Sequence, residues 1–151
     1  MGVESLKAGD RVAGIPLEPC MECDDCRRGD FSLCRHYAFI GSRIFGSFAE
    51  YVCVPEANAL KIDDDVSFEQ GALFEPATIA LHGLERVPYY GGRTVAIVGA
   101  GTIGLLTLQF AKIFGASKVA AFDIDDDRLE DARKLGADDG INTLSADCLD
   151  R

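Results

Sequence analysis

The segment Thr94-Val-Ala-Ile-Val-Gly-Ala-Gly-Thr-Ile-Gly104 predicts a strand, a glycine-rich turn and a helix in immediate succession. Residues 95–98 are all apolar, which indicates a buried strand, and apolar residues then recur at helical spacing from Leu105 to Phe114. Gly115 follows and ends the helical pattern. This order of elements is the one that a dinucleotide-binding site requires.

Each glycine of this segment has a separate physical task in such a site. Gly99 allows the tight turn, Gly101 lets the backbone approach a pyrophosphate, and Gly104 lets the helix pack closely against the strand. The pyrophosphate then lies at the helix N-terminus, where unpaired N–H groups and the helix dipole favour negative charge.

A second apolar strand, residues 118–123, strengthens this interpretation because it ends in an acid. Asp123 lies 24 residues after Gly99. A carboxylate at that place can accept hydrogen bonds from the ribose hydroxyls of NAD and repels the 2′-phosphate of NADP, so the pattern favours NAD. The alternative is an α/β unit without a nucleotide, in which Asp123 only caps a helix.

The composition excludes several classes of function. The chain has 151 residues, of which 48% are apolar and 26% charged, enough for one full domain or two partial ones. Its formal net charge of −10 argues against binding nucleic acid or an anionic membrane surface. No run approaches the roughly 20 apolar residues that span a bilayer, and no secretion signal is present, so we expect a cytoplasmic protein.

Four cysteines form a compact cluster in the sequence. Cys20, Cys23, Cys26 and Cys34 follow the spacing C-x2-C-x2-C-x7-C. Four thiolates with no open position suit a tetrahedral structural Zn²⁺. A bacterial iron–sulfur run has a shorter final gap and a following proline, and this cluster has neither. Disulfides or free thiols remain the alternatives, although a cytoplasmic chain disfavours disulfides.

Short strands are predicted on both sides of this cluster, at residues 11–15, 48–55 and 58–62. Within the second of them Cys53 alternates inward, so we expect it to be a small core residue. His36 directly follows the cluster but has four thiolates as competitors, and we expect it at the surface or in a loop.

A broken helix places an acid in an unusual position. Ser67 is predicted to cap a helix, and Pro76 must break it near Glu75 and restart it. Glu75 therefore begins the second helix among apolar neighbours, and a buried acid needs a cation, a metal or a proton. The alternative is a solvated carboxylate at a helix N-terminus. His82 lies on an apolar face and is expected to be a core histidine.

Together these features resemble the zinc-dependent medium-chain alcohol dehydrogenase family. The resemblance covers nearly the whole chain and is carried by five segments: Leu6-Lys-Ala-Gly-Asp-Arg-Val, the four-cysteine lobe, Phe48-Ala-Glu-Tyr51, Glu75-Pro76 and residues 99–104. Glu-Pro is typical of its polyol dehydrogenase branch. The resemblance implies an α/β fold, with part of a GroES-like catalytic domain and its zinc lobe at residues 1–75. The first half of a Rossmann doubly wound parallel sheet, binding NAD, is implied at 76–151.

The resemblance also implies roles for individual residues. Cys20, Cys23, Cys26 and Cys34 match the ligands of a structural zinc, and Glu75 matches the glutamate of the catalytic zinc, bound directly or through water. Ile103 is expected behind the nicotinamide, and Asp123 and Arg128 beside the adenosine ribose. The full set of implied cofactor-binding residues is Gly99, Gly101, Thr102, Ile103, Gly104, Asp123 and Arg128.

Two catalytic-zinc ligands of the family, a cysteine and the histidine of a Gly-His-Glu motif, have no match in the 151 residues. The second half of the nucleotide-binding sheet is also missing, so the first strand should be an exposed apolar edge. We therefore expect an internal piece of an NAD-linked oxidoreductase, inactive as this chain alone. The resemblance implies a sugar alcohol or its phosphate as substrate, such as galactitol 1-phosphate or sorbitol, and homo-oligomers of the full-length enzyme. The alternative is a non-catalytic zinc- and nucleotide-binding module.

Overall fold

The structure, a computed structural model, describes residues 3–87 and 91–145. The chain divides into two units, Met1–Ala72 and Leu73–Arg151. The sequence-based boundary lies slightly later, after residue 75, and the assignment of domains on either side of it stays a prediction. No helix in the described ranges is long and apolar enough to cross a membrane.

The unit Met1–Ala72 is built from short elements. In its described part these are β1 (Val12–Gly14), β2 (Leu17–Glu18), α1 (Asp24–Arg27), β3 (Ala38–Phe39), β4 (Ala59–Lys61) and α2 (Phe68–Ala72), with 3₁₀ turns at Phe31–Leu33 and Glu56–Asn58. Strand β1 pairs antiparallel with β4, and β2 pairs antiparallel with β3. The strands predicted at 11–15 and 58–62 are therefore present, each slightly shorter than expected.

A buried asparagine and a helix cap stabilise this unit. The side-chain amide of Asn58 donates to the carbonyl oxygens of Ile15, at 2.8 Å, and Leu17, at 2.7 Å. At the start of α2, the backbone amide of Gln70 donates to Ser67 Oγ, and the backbone amide of Ser67 donates to Gln70 Oε1. This reciprocal pair is a capping box, which satisfies two backbone donors at the helix N-terminus.

The strand predicted at residues 48–55 is wrong. The segment has no regular structure, and Phe48 and Tyr51 are almost fully exposed. Cys53, expected in the core, is exposed as well. A strand needs a neighbour that accepts its backbone hydrogen bonds, and no described residues pair with this segment. Alternation in the sequence cannot replace that missing partner.

The unit Leu73–Arg151 alternates helices and parallel strands. Its described elements are α3 (Phe74–Glu85), β5 (Thr94–Val98), α4 (Thr102–Ile113), β6 (Lys118–Asp123), α5 (Asp126–Lys134) and β7 (Asp139–Asn142). The strands pair in the order β5-β6-β7 with parallel registers such as Ile97 beside Ala121 and Phe122 beside Ile141. This confirms the predicted α/β fold with a parallel sheet.

Two details of this unit test the sequence-based reasoning. Helix α3 contains Pro76 in its first turn, and the break from α2 falls at Leu73, as the proline predicts. In strand β5 only Ile97 is buried and Val98 is 87% exposed, which corrects the buried strand expected from the apolar run and confirms the exposed apolar edge expected from the missing half of the sheet. The reason is that β5 is the edge of the described sheet, with β6 as its single partner there.

The core of this unit lies between the sheet and helices α4 and α5, and α3 packs against α4 and adds Leu84 to it. Its largest fully buried side chains are Leu108, Val119 and Leu129. Small residues, Ala111 and Ala132, allow the helices to approach the sheet closely, because protein interiors leave few voids.

Replacing Leu108 by alanine should destabilise this unit by about 2–5 kcal/mol, because it leaves a cavity in a fully buried position. Ile113→Ala on the same helix is the matched control, since Ile113 is 72% exposed and its loss should change stability by less than about 0.5 kcal/mol. Native-state hydrogen exchange of the β6 amides measures both effects within this unit. Equal loss of protection in the two variants would contradict the described core.

Candidate functional site

The four predicted cysteine ligands lie together. The sulfur atoms of Cys20, Cys23, Cys26 and Cys34 all fall within 4.8 Å of one another, and those of Cys20 and Cys26 are 3.9 Å apart. Four thiolates at Zn–S bonds of about 2.3 Å occupy tetrahedron corners about 3.8 Å from each other. The cluster therefore has the donor set and the approximate spacing of a closed structural zinc site.

The backbone around the cluster is shaped for this arrangement. Between the first two cysteines, Met21 has a φ of 61°, an uncommon left-handed conformation for a residue with a side chain. The resulting turn lets the amide of Cys23 donate to Cys20 Sγ at 3.4 Å, and the amide of Cys20 donates to Cys34 Sγ at 3.3 Å. Amide donors that point at sulfur are suited to thiolates rather than to neutral thiols.

The pKa values of the thiols respond to these contacts. The backbone N–H of Cys26 lowers the pKa of Cys23, and the backbone N–H of Cys20 lowers the pKa of Cys34. Burial raises the pKa of Cys26 to about 12, because desolvation disfavours its charged form. A bound Zn²⁺ would deprotonate all four thiols, since a coordinated thiol gives up its proton to the metal's charge.

The structure also bears on the alternatives for this cluster. All five cysteines of the described residues are free, and the 3.9 Å between Cys20 Sγ and Cys26 Sγ is far longer than a disulfide bond of about 2.05 Å. His36 is exposed and lies outside the cluster, as expected. Among the described residues, Cys20, Cys23, Cys26 and Cys34 form the single group of three or more side chains placed to hold a metal.

The second candidate site is the glycine turn between β5 and α4, where the fold requires two of the three glycines. Gly99 has a φ of +94°, which side chains other than glycine rarely adopt. A Cβ atom on Gly104 would overlap the carbonyl oxygen of Gly99. At Gly101 the φ is an ordinary −77°, and a Cβ atom would meet no protein atom within 4 Å.

The protein itself therefore has no need of a glycine at position 101. The open space there is a cradle that a Cβ atom would fill, beside the N-terminus of a 12-residue helix. A ligand that approaches the backbone closely would explain why residue 101 is a glycine. A diphosphate fits, because the free N–H groups of the first helical turn and the helix dipole both favour an anion.

Asp123, the last residue of β6, forms a hydrogen bond with this turn. Its side chain is buried, with the residue 8% exposed, and Oδ2 accepts from the amide of Ala100 at 2.6 Å. Oδ1 accepts from the amides of Ile124, at 2.8 Å, and Asp125, at 3.0 Å. The Ala100 amide, followed by the amides of Asp125 and Ile124, lowers the pKa of Asp123 against the effect of desolvation. The carboxylate is thus held ionised at the end of β6.

The predicted nucleotide-binding residues lie around one cleft with a volume of about 530 Å³. It is lined by Gly99, Gly101, Thr102, Ile103, Gly104, Asp123 and Arg128, and also by Ala96, Ile97, Val98 and Thr107. The guanidinium of Arg128 lies 3.9 Å from Asp123 Oδ2 and 3.7 Å from Asp125 Oδ2. The cleft therefore combines the backbone donors of the helix start with an ionised acid and a neighbouring cation.

Sequence reasoning missed two contributors to this cleft. Ala100 holds Asp123 through its amide, and its position between two glycines was the available signal. Thr107 lies one helical turn after Ile103 and donates its hydroxyl to the carbonyl oxygen of that residue at 2.8 Å. The spacing of four residues in a predicted helix could have placed it on the same face.

Glu75 and His82 are not brought into either site. Glu75 lies in the first turn of α3 and is half-buried, and its carbonyl oxygen accepts from the Thr78 hydroxyl at 2.7 Å. It joins no group of three metal-binding side chains within the described residues. His82 is exposed, so its predicted place in the core is wrong. The buried residues of α3 are Ala80 and Leu84, each two positions from His82 and therefore on a different face of the helix.

Comparison with known proteins gives consistent matches along the chain. A family model described as the alcohol dehydrogenase GroES-like domain matches residues 1–64, and one described as zinc-binding dehydrogenase matches residues 102–151. The galactitol 1-phosphate 5-dehydrogenase of Escherichia coli is 43% identical over 142 residues, which are 94% of this chain and 41% of the relative. The L-idonate 5-dehydrogenase of Vitis vinifera is 43% identical over 140 residues, 92% of this chain and 38% of the relative.

Solved structures agree with these matches. A zinc-binding dehydrogenase of Sinorhizobium meliloti bound to NADP has a TM-score of 0.88 and 36% identity, covering 93% of this chain and 41% of that one. An alcohol dehydrogenase of Escherichia coli in complex with NADH has a TM-score of 0.88 and 37% identity, covering 96% of this chain and 43% of that one. The chain thus spans about two fifths of the length of the proteins it matches.

Replacing Cys34 by serine should reduce the zinc content from about one ion per chain to well below one, because a closed site loses one of its four thiolates. Cys53→Ser is the matched control, since Cys53 is exposed and lies outside the cluster, and its zinc content should stay unchanged. Elemental analysis of the gel-filtered proteins measures both. Equal zinc content in the two variants would show that the cluster is not the metal site.

Proposed function

Because this chain belongs to the zinc-dependent medium-chain alcohol dehydrogenase family, in its polyol dehydrogenase branch, we propose that it is part of an NAD-linked oxidoreductase of sugar alcohols or their phosphates. The observation that carries the proposal is the single cleft shared by the glycine turn and the ionised Asp123. Such a cleft offers one end to a diphosphate and the other to a ribose.

The roles of the chain's own residues follow from that cleft. The amides at the start of α4 bind the diphosphate, and Gly101 lets it approach the backbone. Asp123 accepts hydrogen bonds from ribose hydroxyls, and Arg128 stands beside it. Ile103 packs behind the nicotinamide. When bound, the nicotinamide supplies the site that accepts or donates hydride, while the protein orients it and limits the access of water.

The charge of Asp123 favours NAD over NADP in this proposal. The 2′-phosphate of NADP would meet an ionised carboxylate, and like charges at close range repel strongly in a partly buried site. Arg128 already lies within 4.0 Å of two carboxylates, which offset part of the charge that it could present to an added phosphate. One structural neighbour binds NADP and another NADH, so the choice in this chain rests on its own residues.

The two expected zinc ions differ in how many of their ligands the described residues supply. Cys20, Cys23, Cys26 and Cys34 would hold a structural Zn²⁺, which braces the lobe and takes no part in the reaction. Glu75 is our candidate for a ligand of the catalytic zinc, or for a group that acts on it through water. The described residues bring no further ligands to Glu75, so no step of the reaction is assigned to that metal.

The substrates named in two relatives narrow the proposed substrate class. Galactitol 1-phosphate 5-dehydrogenase and L-idonate 5-dehydrogenase, both 43% identical to this chain, act at carbon 5. Galactitol 1-phosphate carries a phosphate at carbon 1, and an aldonate carries a carboxylate there. We infer that the substrate here is also a linear polyol with an anion at one end and the reacting carbon near the other.

The proposal also includes the location and assembly of the protein. Four cysteines that serve as metal ligands must stay reduced, which suits the cytoplasm. The whole enzyme is proposed to be a homo-oligomer, with a small-molecule substrate and neither nucleic acid nor membrane as partner.

Gly101→Ala should weaken the binding of NADH at least tenfold while leaving the melting temperature nearly unchanged, because its Cβ atom fills space that only the diphosphate uses. Gly104→Ala should instead destabilise the fold by several kcal/mol, since its Cβ atom overlaps Gly99. Calorimetric titration with NADH and with NADPH, together with thermal unfolding, separates the two effects. Native affinity for NADH in Gly101→Ala would contradict the proposed diphosphate site.

The 151 residues alone should show no turnover with NAD and either galactitol 1-phosphate or sorbitol, measured by NADH absorbance, because Glu75 has no partner ligands among the described residues. A chain extended by a family segment with the cysteine and Gly-His-Glu ligands should bind a second zinc. Glu75→Ala in that extended chain should lose only the second zinc. An extended chain that still binds one zinc would favour the non-catalytic module, and turnover by the short chain would refute its inactivity.

A further inference from the structure

A rigid loop follows β3 and presents a single cation. The carbonyl oxygen of Phe39 accepts from three successive amides, those of residues 42, 43 and 44, at 3.1, 2.9 and 3.3 Å. The amide of Gly41 donates to the carbonyl oxygen of Ile44 at 3.0 Å. These backbone bonds close the loop on itself, so its tip, Arg43, has a defined position.

Two glycines make this closure possible. Gly41 has a φ of +90°, which favours glycine, and a Cβ atom on Gly46 would lie 2.5 Å from the Cα atom of Gly41. The two backbone segments of the loop therefore touch. This close contact restricts both positions to glycine.

The side chain of Arg43 is held in place by Tyr37. Its guanidinium lies 4.2 Å from the centre of the Tyr37 ring, and Nη2 donates to the Tyr37 hydroxyl at 3.1 Å. Tyr37 itself is half-buried and directly precedes β3, whose pairing with β2 fixes its backbone. Stacking on an aromatic face and one hydrogen bond orient the guanidinium plane while most of its N–H groups remain free.

No acid neutralises this cation in the described part of the chain. Arg28, Arg128 and Arg133 each lie within 4.0 Å of a carboxylate, whereas Arg43 has none at that distance among residues 3–87 and 91–145. Arg11 is the other arginine fixed by an aromatic ring, but two backbone carbonyl oxygens occupy its donors. Among the described residues, Arg27, Arg86 and Arg93 also lie more than 4.0 Å from any carboxylate, but unlike Arg43 none of them is stacked on an aromatic ring.

We propose that Arg43 binds the anionic end of the substrate, the phosphate group of a linear sugar-alcohol phosphate; this rests on the proposed function. A guanidinium offers parallel N–H donors that match two oxygens of a phosphate, and such forked pairs are among the strongest polar contacts in proteins. Tyr37 orders the side chain before the ligand arrives, which reduces the entropy lost on binding. Arg43 thereby distinguishes phosphorylated polyols from neutral ones.

The test is a titration of the zinc-loaded chain followed by the NMR signal of each arginine Nε–Hε group. Galactitol 1-phosphate should shift the Arg43 signal, and galactitol at the same concentrations should leave it in place. Arg43→Met, which keeps the length of the side chain, should weaken the binding of galactitol 1-phosphate about tenfold or more. Arg43→Lys should recover part of the affinity, because it restores the charge without the fork.

Arg27→Met is the matched control, since Arg27 is an exposed arginine of the same unit and should not affect binding. Tyr37→Phe keeps the ring and removes the hydroxyl, so it should weaken binding less than Arg43→Met does. A shift of Arg43 by L-idonate would support the anion subsite and extend it to carboxylates. Inorganic phosphate that binds as tightly as galactitol 1-phosphate would reduce the site to an adventitious ion only and overturn the proposal.

Two further outcomes would overturn it. One is an Arg43 signal that galactitol 1-phosphate does not move, and the other is an unchanged affinity in Arg43→Met. NADH titration of the same sample separates this failure from failure of the proposed function. A chain that binds NADH but shows no response at Arg43 keeps its function and loses this subsite, whereas a chain that does not bind NADH fails at the earlier step.

Discussion

The buried carboxylate of Asp123 is the interaction on which the nucleotide cleft depends. The two carboxylate oxygens accept hydrogen bonds from three backbone amides, that of Ala100 before helix α4 and those of Ile124 and Asp125 after strand β6. A glycine-rich turn has few side-chain contacts of its own, so its conformation must be stabilised from outside. A charged acceptor at 2.6 Å from the Ala100 amide provides that support and keeps the acid ionised. The Asp123 carboxylate therefore stabilises the turn that would bind the diphosphate, and it also presents a negatively charged acceptor to the ribose hydroxyls.

The cysteine lobe depends on a different and more local constraint. Its four sulfur atoms come from fifteen consecutive residues, 20–34, in which regular structure is limited to one four-residue helix and a 3₁₀ turn. Few apolar side chains are buried there apart from the cysteines Cys26 and Cys34. Metal ligation can replace a hydrophobic core in such a segment, because the free energy of binding zinc becomes free energy of folding. Arg43, proposed to bind phosphate, is a second local feature of the same unit, and its loop is constrained by Gly41 and Gly46.

The errors of sequence-based reasoning have a common physical cause. Residues 48–55 alternate like a strand, yet they remain irregular and leave Cys53 exposed, because no described segment pairs with them. His82 was placed in the core from its apolar neighbours, but α3 packs against α4 through a face that includes Ala80 and Leu84, and His82 stays exposed. Val98, in contrast, confirms the exposed apolar edge predicted for the first strand, since a strand at the edge of a sheet exposes residues that a central strand would bury. For residues 48–55 and for His82 the local pattern was read correctly, but the sequence does not show which part of the protein packs against the segment.

The amino-acid sequence alone predicted the local features of both candidate sites. The spacing of four cysteines, the three glycines of the turn and the acid at the end of the next strand predicted the metal cluster, the α/β order and the lining of the cleft. These features depend on residues that are close in the chain or joined by one strand-helix-strand unit, so short-range geometry determines them. Only the tertiary structure showed that Ala100 secures Asp123, that Gly101 faces empty space and that Tyr37 orders Arg43. Those relations depend on packing between separate segments, where small shifts decide whether two groups touch.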